Sequence, residues 1–237
     1  MSDHRAPRTV SRPIATAAAV CLVVPAALNV AFHLLTPIAA TSLPASLAQG
    51  AANPQRSALA ASFQFALPVL AVGVLVLAWR ASAAAPRLAG LGGAFLAGGY
   101  LLGTLAAVDN LMQAVVPAHA DPVTALRVVH GFQNSLPGRL AALALIGQAP
   151  GLILLGLALW RSRAVPRALA GCFLATLPLH VLSHSNDGNR LPALSWGWFT
   201  AVLVGCAVVV VRDARVSSRA AAVEHWSTTR TATTMSS

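Results

Sequence analysis

The chain has 237 residues, of which 57% are hydrophobic and 9% charged, with a mean hydropathy of +0.70. That leaves too little polar surface to clothe a soluble enzyme and too much apolar sequence for a disordered chain, while three cysteines are too few for a disulfide scaffold. The net charge of +10 comes from 16 basic residues, every one an arginine, and they punctuate apolar runs instead of lining one face among aromatics. This pattern points to membrane insertion and away from nucleic acid.

The predicted fold is all-α, a bundle of six transmembrane spans with both termini cytoplasmic. A basic segment, 1–13, carries Arg5, Arg8 and Arg12 and precedes the first apolar run, 14–39. A cleavable signal core is usually about 7 to 15 residues, so a run this long is read as a retained span. Cleavage would leave five spans and the same placement of every later loop. The second and third runs, 58–79 and 88–108, are joined by Arg-Ala-Ser-Ala-Ala-Ala-Pro-Arg, ending at Arg87. The third carries Gly90, Gly92, Gly93, Gly98, Gly99 and Gly103, which suits close helix packing within the bundle better than a dimer interface, and leaves a homo-oligomer open.

A long connection, 109–137, follows. Within it Asp121 and Pro122 form a helix start, and Val123, Leu126, Val129 and Phe132 recur at helical spacing opposite Thr124, Arg127, His130 and Asn134. An amphipathic helix over 122–134, lying on the outer membrane face, is expected. The fourth run is 140–160, the fifth and weakest 168–183, interrupted by Thr176, Pro178 and His180, and the sixth 192–211. The domain organisation is thus a basic N-terminus over 1–13, a transmembrane domain over 14–211, and a polar, Ser- and Thr-rich cytoplasmic tail over 212–237, expected to be disordered.

Each span must cross about 30 Å of hydrocarbon, and cytoplasmic loops carry the excess of arginine. With the N-terminus inside, the inner segments hold Arg5, Arg8, Arg12, Arg80, Arg87, Arg161, Arg163, Arg167, Arg212, Arg215 and Arg219, and the outer ones only Arg56, Arg127, Arg139 and Arg190. Trp79 and Trp160 fall at inner ends, with Trp196 and Trp198 at an outer end, as interfacial rings do.

Ionisable groups in this topology gather at the outer face: His33, Asp109, His119, Asp121, His130, His180, His184 and Asp187. His180 and His184, four residues apart, share one face of a helix and are candidate metal ligands, with a third from His33, His130 or Asp109. Three protein ligands and an open position would make a catalytic zinc site. A haem between His33 and His180 is the other cofactor considered, although no Cys-x-x-Cys-His motif occurs. Ser183 and Ser185 flank His184 and Ser135 follows His130, yet no Gly-x-Ser-x-Gly elbow is present. Cys21, Cys172 and Cys206 lie within apolar runs and read as buried, unpaired residues. Gln64 in the second span, and Gln148 with Pro150 and Gly151 in the fourth, either mark a transport path or bond across helices.

The hairpin Trp160-Arg-Ser-Arg-Ala-Val-Pro-Arg167 followed by Ala-Leu-Ala-Gly171, set in a six-span chain, resembles a family of small bacterial six-span membrane proteins of unknown function. There a comparable hairpin joins the fourth and fifth spans. That resemblance implies the fold and supplies no catalytic residues. The pair His180-x-x-x-His184 also looks like the closing motif of seven-span zinc-dependent membrane amide hydrolases related to alkaline ceramidase. Their partner Ser-x-x-x-His is missing here, and the span count is one short. The functional expectation is therefore a ligand-binding or structural protein of the lipid bilayer, taking a small molecule or lipid. A metal-dependent membrane hydrolase is the alternative, and a small-solute transporter the third reading.

Overall fold

The computed structural model describes residues 8–37, 42–184 and 188–235, without the side chains of Leu145, His184 and 221–235. Among the described residues every regular element is helical: α1 (Arg12–Leu35), α2 (Leu43–Ala52), α3 (Pro54–Phe63), α4 (Leu67–Ala81), α5 (Pro86–Val115), α6 (Pro122–Asn134), α7 (Leu136–Ser162), α8 (Arg167–His184) and α9 (Arg190–Met235). Short 3-10 turns at 64–66 and 116–118 continue α3 into α4 and extend α5. Proline stands in the first turn of α1 through α7, where its fixed φ suits helix entry and its missing N–H costs nothing.

Among the described residues five stretches are long and apolar enough to cross a membrane: Arg12–Leu35, Pro54–Ala81, Pro86–Ala118, Leu136–Ser162 and Arg190–Ala220. The sixth expected span is α8, whose 18 residues rise only about 27 Å against about 30 Å of hydrocarbon. The predicted boundary of the first span at 39 lies outside the described residues, as does Asp187. The backbone of α9 runs as helix through Met235, into the segment 212–237 that the sequence reading expects to be disordered. Ala214 and Ala220 are strong helix formers, and Asp213 is held by an ion pair described below.

The core is continuous and made of leucine, valine, alanine and a few aromatics, including Leu22, Leu77, Leu96, Tyr100, Leu155 and Phe199. Its tightest seam runs between α5 and α7. A Cβ on Gly92 would strike the backbone of Leu155, one on Gly99 would lie 2.6 Å from Cγ of Gln148, and one on Gly151 would lie 2.6 Å from the Leu96 nitrogen. Those glycines are used inside the bundle, by backbone approach that any side chain would prevent. Outward-facing positions stay apolar, with Val72, Leu91, Phe95, Leu101, Ile146 and Val208 all exposed. A surface of this kind is stable against acyl chains and unstable against water.

A second, smaller cluster caps one end, where Leu47 of α2 meets Ala125 and Val129 of α6, with Met112 and Val116 packed against them. The segment Pro122–Asn134 is helical, with Asp121 as its cap. Ala125 and Val129 are buried, whereas Val123 and Leu126 are exposed beside an apolar groove of about 340 Å³ against α2. Leu47 of α2 packs on the side of this helix that carries Ala125 and Val129.

At the end of the bundle that carries the start of α1, the Arg80 guanidinium donates from Nη2 to the Asp213 carboxylate, joining α4 to α9. The Arg8 guanidinium lies 5.5 Å from the Trp79 ring centroid and the Arg8 amide donates to the Arg80 carbonyl at 3.3 Å. At the other end Asn189 Nδ2 donates to the Thr36 carbonyl at 3.0 Å, and Arg56 Nε to the Leu35 carbonyl at 2.7 Å.

Candidate functional site

Two polar constellations interrupt the apolar bundle. The first is a cavity of about 320 Å³ among α5, α7, α8 and α9, within the range of small-molecule sites. Leu152, Leu177, Val181 and Phe199 give it apolar walls, and Tyr100, Gln148, Thr176, His180 and Trp196 bring groups able to hydrogen-bond. Pro178 lies inside α8 two residues before His180, so one i to i−4 backbone bond is missing beside the cavity.

His180 is held in place from α9. Its Nδ1 and the Ser195 hydroxyl are 2.8 Å apart, and its ring meets the edge of Trp196 at 5.1 Å between centroids and 71° between planes. Trp196 in turn packs edge-on to Phe199, and Phe199 to Phe173. Sequence reading assigned Trp196 to the membrane interface together with Trp198. Trp196 is instead buried in the bundle, because its position on α9 faces α8, while Trp198 is exposed and donates to the Cys172 carbonyl at 3.2 Å.

The second constellation is a ladder of side-chain amides. Asn110 Nδ2 donates to Gln64 Oε1 at 2.6 Å, and Gln64 Nε2 donates to Asn29 Oδ1 at 3.3 Å, linking α5, the 3-10 turn and α1. Gln64 is therefore a bond across helices, the second of the two readings its sequence position allowed. Beside it Asp109 accepts from Gln113 at 2.9 Å and from Gln133 of α6 at 3.2 Å through both carboxylate oxygens. A half-buried carboxylate thus ties the capping helix to the bundle through neutral amide donors. Asn29, Gln64 and Gln113 are amides flanked by apolar residues, which is the signal in the sequence for bonds of this kind, whereas Gln133 lies in a polar stretch and carries no such signal.

Of the candidate metal ligands, His180 lies at the cavity, Asp109 in the amide ladder, and His130 on the exposed side of α6, where its ring is 3.2 Å from Asn134 Nδ2. His33 sits in the last turn of α1 with its ring 4.8 Å from that of Phe32. His184 closes α8, with its side chain outside the described residues. Among the described residues no three His, Cys, Asp or Glu side chains come together as a metal site. The three cysteines are free, and Cys206 is buried.

Outside the spans, Asp121 caps α6 by accepting from the amides of Val123 and Thr124, both at 3.0 Å. A hydrogen bond from the Thr124 side chain, then that from its amide, holds this carboxyl below its ordinary value.

Searches with this chain match no protein-family model, no curated protein and no solved structure. The class that fold and site define is a helical protein with several apolar helices able to span a membrane.

Proposed function

We propose that this is a six-span membrane protein that binds a small amphiphile in the cavity among α5, α7, α8 and α9, with a neutral hydrogen-bonding head and an apolar body as the ligand's chemistry. In this reading α8 completes the sixth span and both termini are cytoplasmic, the arrangement that the excess of arginine at one end favours. Asp109, the amide ladder and α6 then lie at the outer face. Starting at Pro86, about 20 residues of α5 cross the hydrocarbon and the remainder reaches beyond it.

The observation that carries the binding reading is His180, fixed by Ser195 and Trp196 at the wall of an otherwise apolar cavity. Polar groups are costly in hydrocarbon, and a preoriented donor or acceptor beside an apolar void suits one neutral ligand head. Thr176, Tyr100 and Gln148 offer further hydrogen bonds in the same cavity. A charged headgroup fits poorly, because among the described residues no arginine or acid lines it.

The test is native mass spectrometry of the full chain released from detergent, coupled to organic extraction of what remains bound. Wild type should carry a small amphiphile. Ala149→Trp, which fills the cavity from a lining position, should empty it, and His180→Leu should weaken retention by roughly tenfold, the worth of one buried hydrogen bond. A bare wild-type protein, or an adduct unchanged in both variants, overturns the reading.

A further inference from the structure

One groove of the bundle is built unlike the others. Between α1 and α9, at the end where α1 begins, an open groove of about 730 Å³ has walls of Ala19, Val23, Val204 and Val208 and ends on Arg212, Arg215 and Arg219. The three arginines are spaced by three and four residues, so they share the face of α9 that carries Val204, Val208 and Val211 one to three turns earlier. All three are exposed, and among the described residues no acid lines the groove. Asp213, next to Arg212 in sequence, is committed to Arg80 on α4.

We infer that this groove is a site for an anionic phospholipid, its phosphate held by Arg212, Arg215 and Arg219 and an acyl chain lying along the valine and alanine walls. The inference goes beyond the amphiphile cavity, which shares only α9 with this groove, through Trp196 and Phe199, and has no arginine among its described lining residues. The positive-inside bias explains why arginines occur at this end, but it does not require them to continue an apolar groove on one face of one helix. That continuity matches a molecule whose charge and hydrocarbon are joined end to end, and it excludes a free phosphate as the natural occupant. Guanidinium groups suit a phosphate through paired N–H donors, and basic pockets between spans at a cytoplasmic face hold anionic headgroups.

The test uses the full chain in nonionic detergent, titrated with dioleoyl phosphatidylglycerol, dioleoyl phosphatidylcholine or inorganic phosphate, read by native mass spectrometry and by thermal unfolding. Wild type should retain phosphatidylglycerol about tenfold or more over phosphatidylcholine. The triple variant Arg212→Gln, Arg215→Gln, Arg219→Gln should lose that preference, while Arg161→Gln, Arg167→Gln, which removes charge elsewhere at the same end, should keep it. Val208→Trp, at an exposed lining position that tolerates a larger side chain, should weaken retention with all arginines present. Equal retention of both lipids by wild type, an unchanged preference in the triple variant, or a thermal shift reproduced by inorganic phosphate alone would each overturn the inference.

Discussion

Arg80 and Asp213 lie 133 residues apart in sequence and form an ion pair that fastens the last turn of α4 to α9. The arginine side chain is 3% exposed and the aspartate 42%, so the cation is the buried partner. Among the described residues its Nε and Nη1 are buried without a hydrogen-bond partner, which makes the Asp213 carboxylate its principal compensation. Asp213→Ala should therefore destabilise the bundle by about 1 to 3 kcal/mol, less than a fully buried pair because the carboxylate is partly wetted. Adding Arg80→Met should recover part of that loss, since an apolar replacement removes the uncompensated charge. Thermal unfolding in detergent measures both, and a double variant no better than Asp213→Ala would refute the account.

Asp109 offers the corresponding test at the other end. Its bonds to Gln133 tie α6 to α5, so Gln133→Leu should release α6 with a cost of about 1 kcal/mol. Hydrogen exchange should quicken over 122–134 and stay unchanged in α7. Asp109→Asn, which keeps shape and one acceptor, should behave more mildly; equal exchange in all three proteins would show that α6 is held by Ala125 and Val129 alone.

The cap of α6 carries a pH dependence of known sign. The Asp121 carboxyl is lowered in the folded chain, so its contribution is complete above the ordinary carboxylate value of about 3.9 and is lost as pH falls through the lowered value. Amide exchange at Val123 and Thr124, corrected for intrinsic rates, should show constant protection from pH 7 to about 5 and reduced protection only in stronger acid. In Asp121→Ala the protection should be lower at neutral pH and its acid dependence gone.

Cofactor content separates the amphiphile reading from the two cofactor readings of the outer histidines. In the amphiphile reading the purified chain should show no Soret band and no stoichiometric zinc, iron, copper or manganese. A metal or haem removed by His180→Ala, His184→Ala would transfer the site to that histidine pair.

Topology is checked by labelling. In a chain lacking Cys21, Cys172 and Cys206, a membrane-impermeant maleimide should label His119→Cys in intact cells and Ser82→Cys only after permeabilisation. The reverse pattern would invert the orientation, and labelling of both would break the proposed helix arrangement between them.

The helical class, five of the six apolar spans expected, the start of α6 at Asp121 and Pro122, and the two short connections ending in Pro-Arg were all determined by the sequence alone. Each depends on neighbours in the chain: an apolar run long enough for hydrocarbon, a proline where an N–H is expendable, a side chain that caps the next amides. Tertiary structure decided the rest. Whether Gln64 marks a path or a bond turned on Asn29 and Asn110, which lie 35 and 46 residues away. Trp196 became a cavity wall instead of an interfacial ring because α8 packs over it, and α6 turned Ala125 inward because α2 occupies that side. In a membrane chain nearly every face is apolar, so hydrophobicity says which segments are helices but not which face meets protein and which meets lipid. That choice is made by packing between distant segments, through small residues and stranded polar groups whose partners no local pattern names.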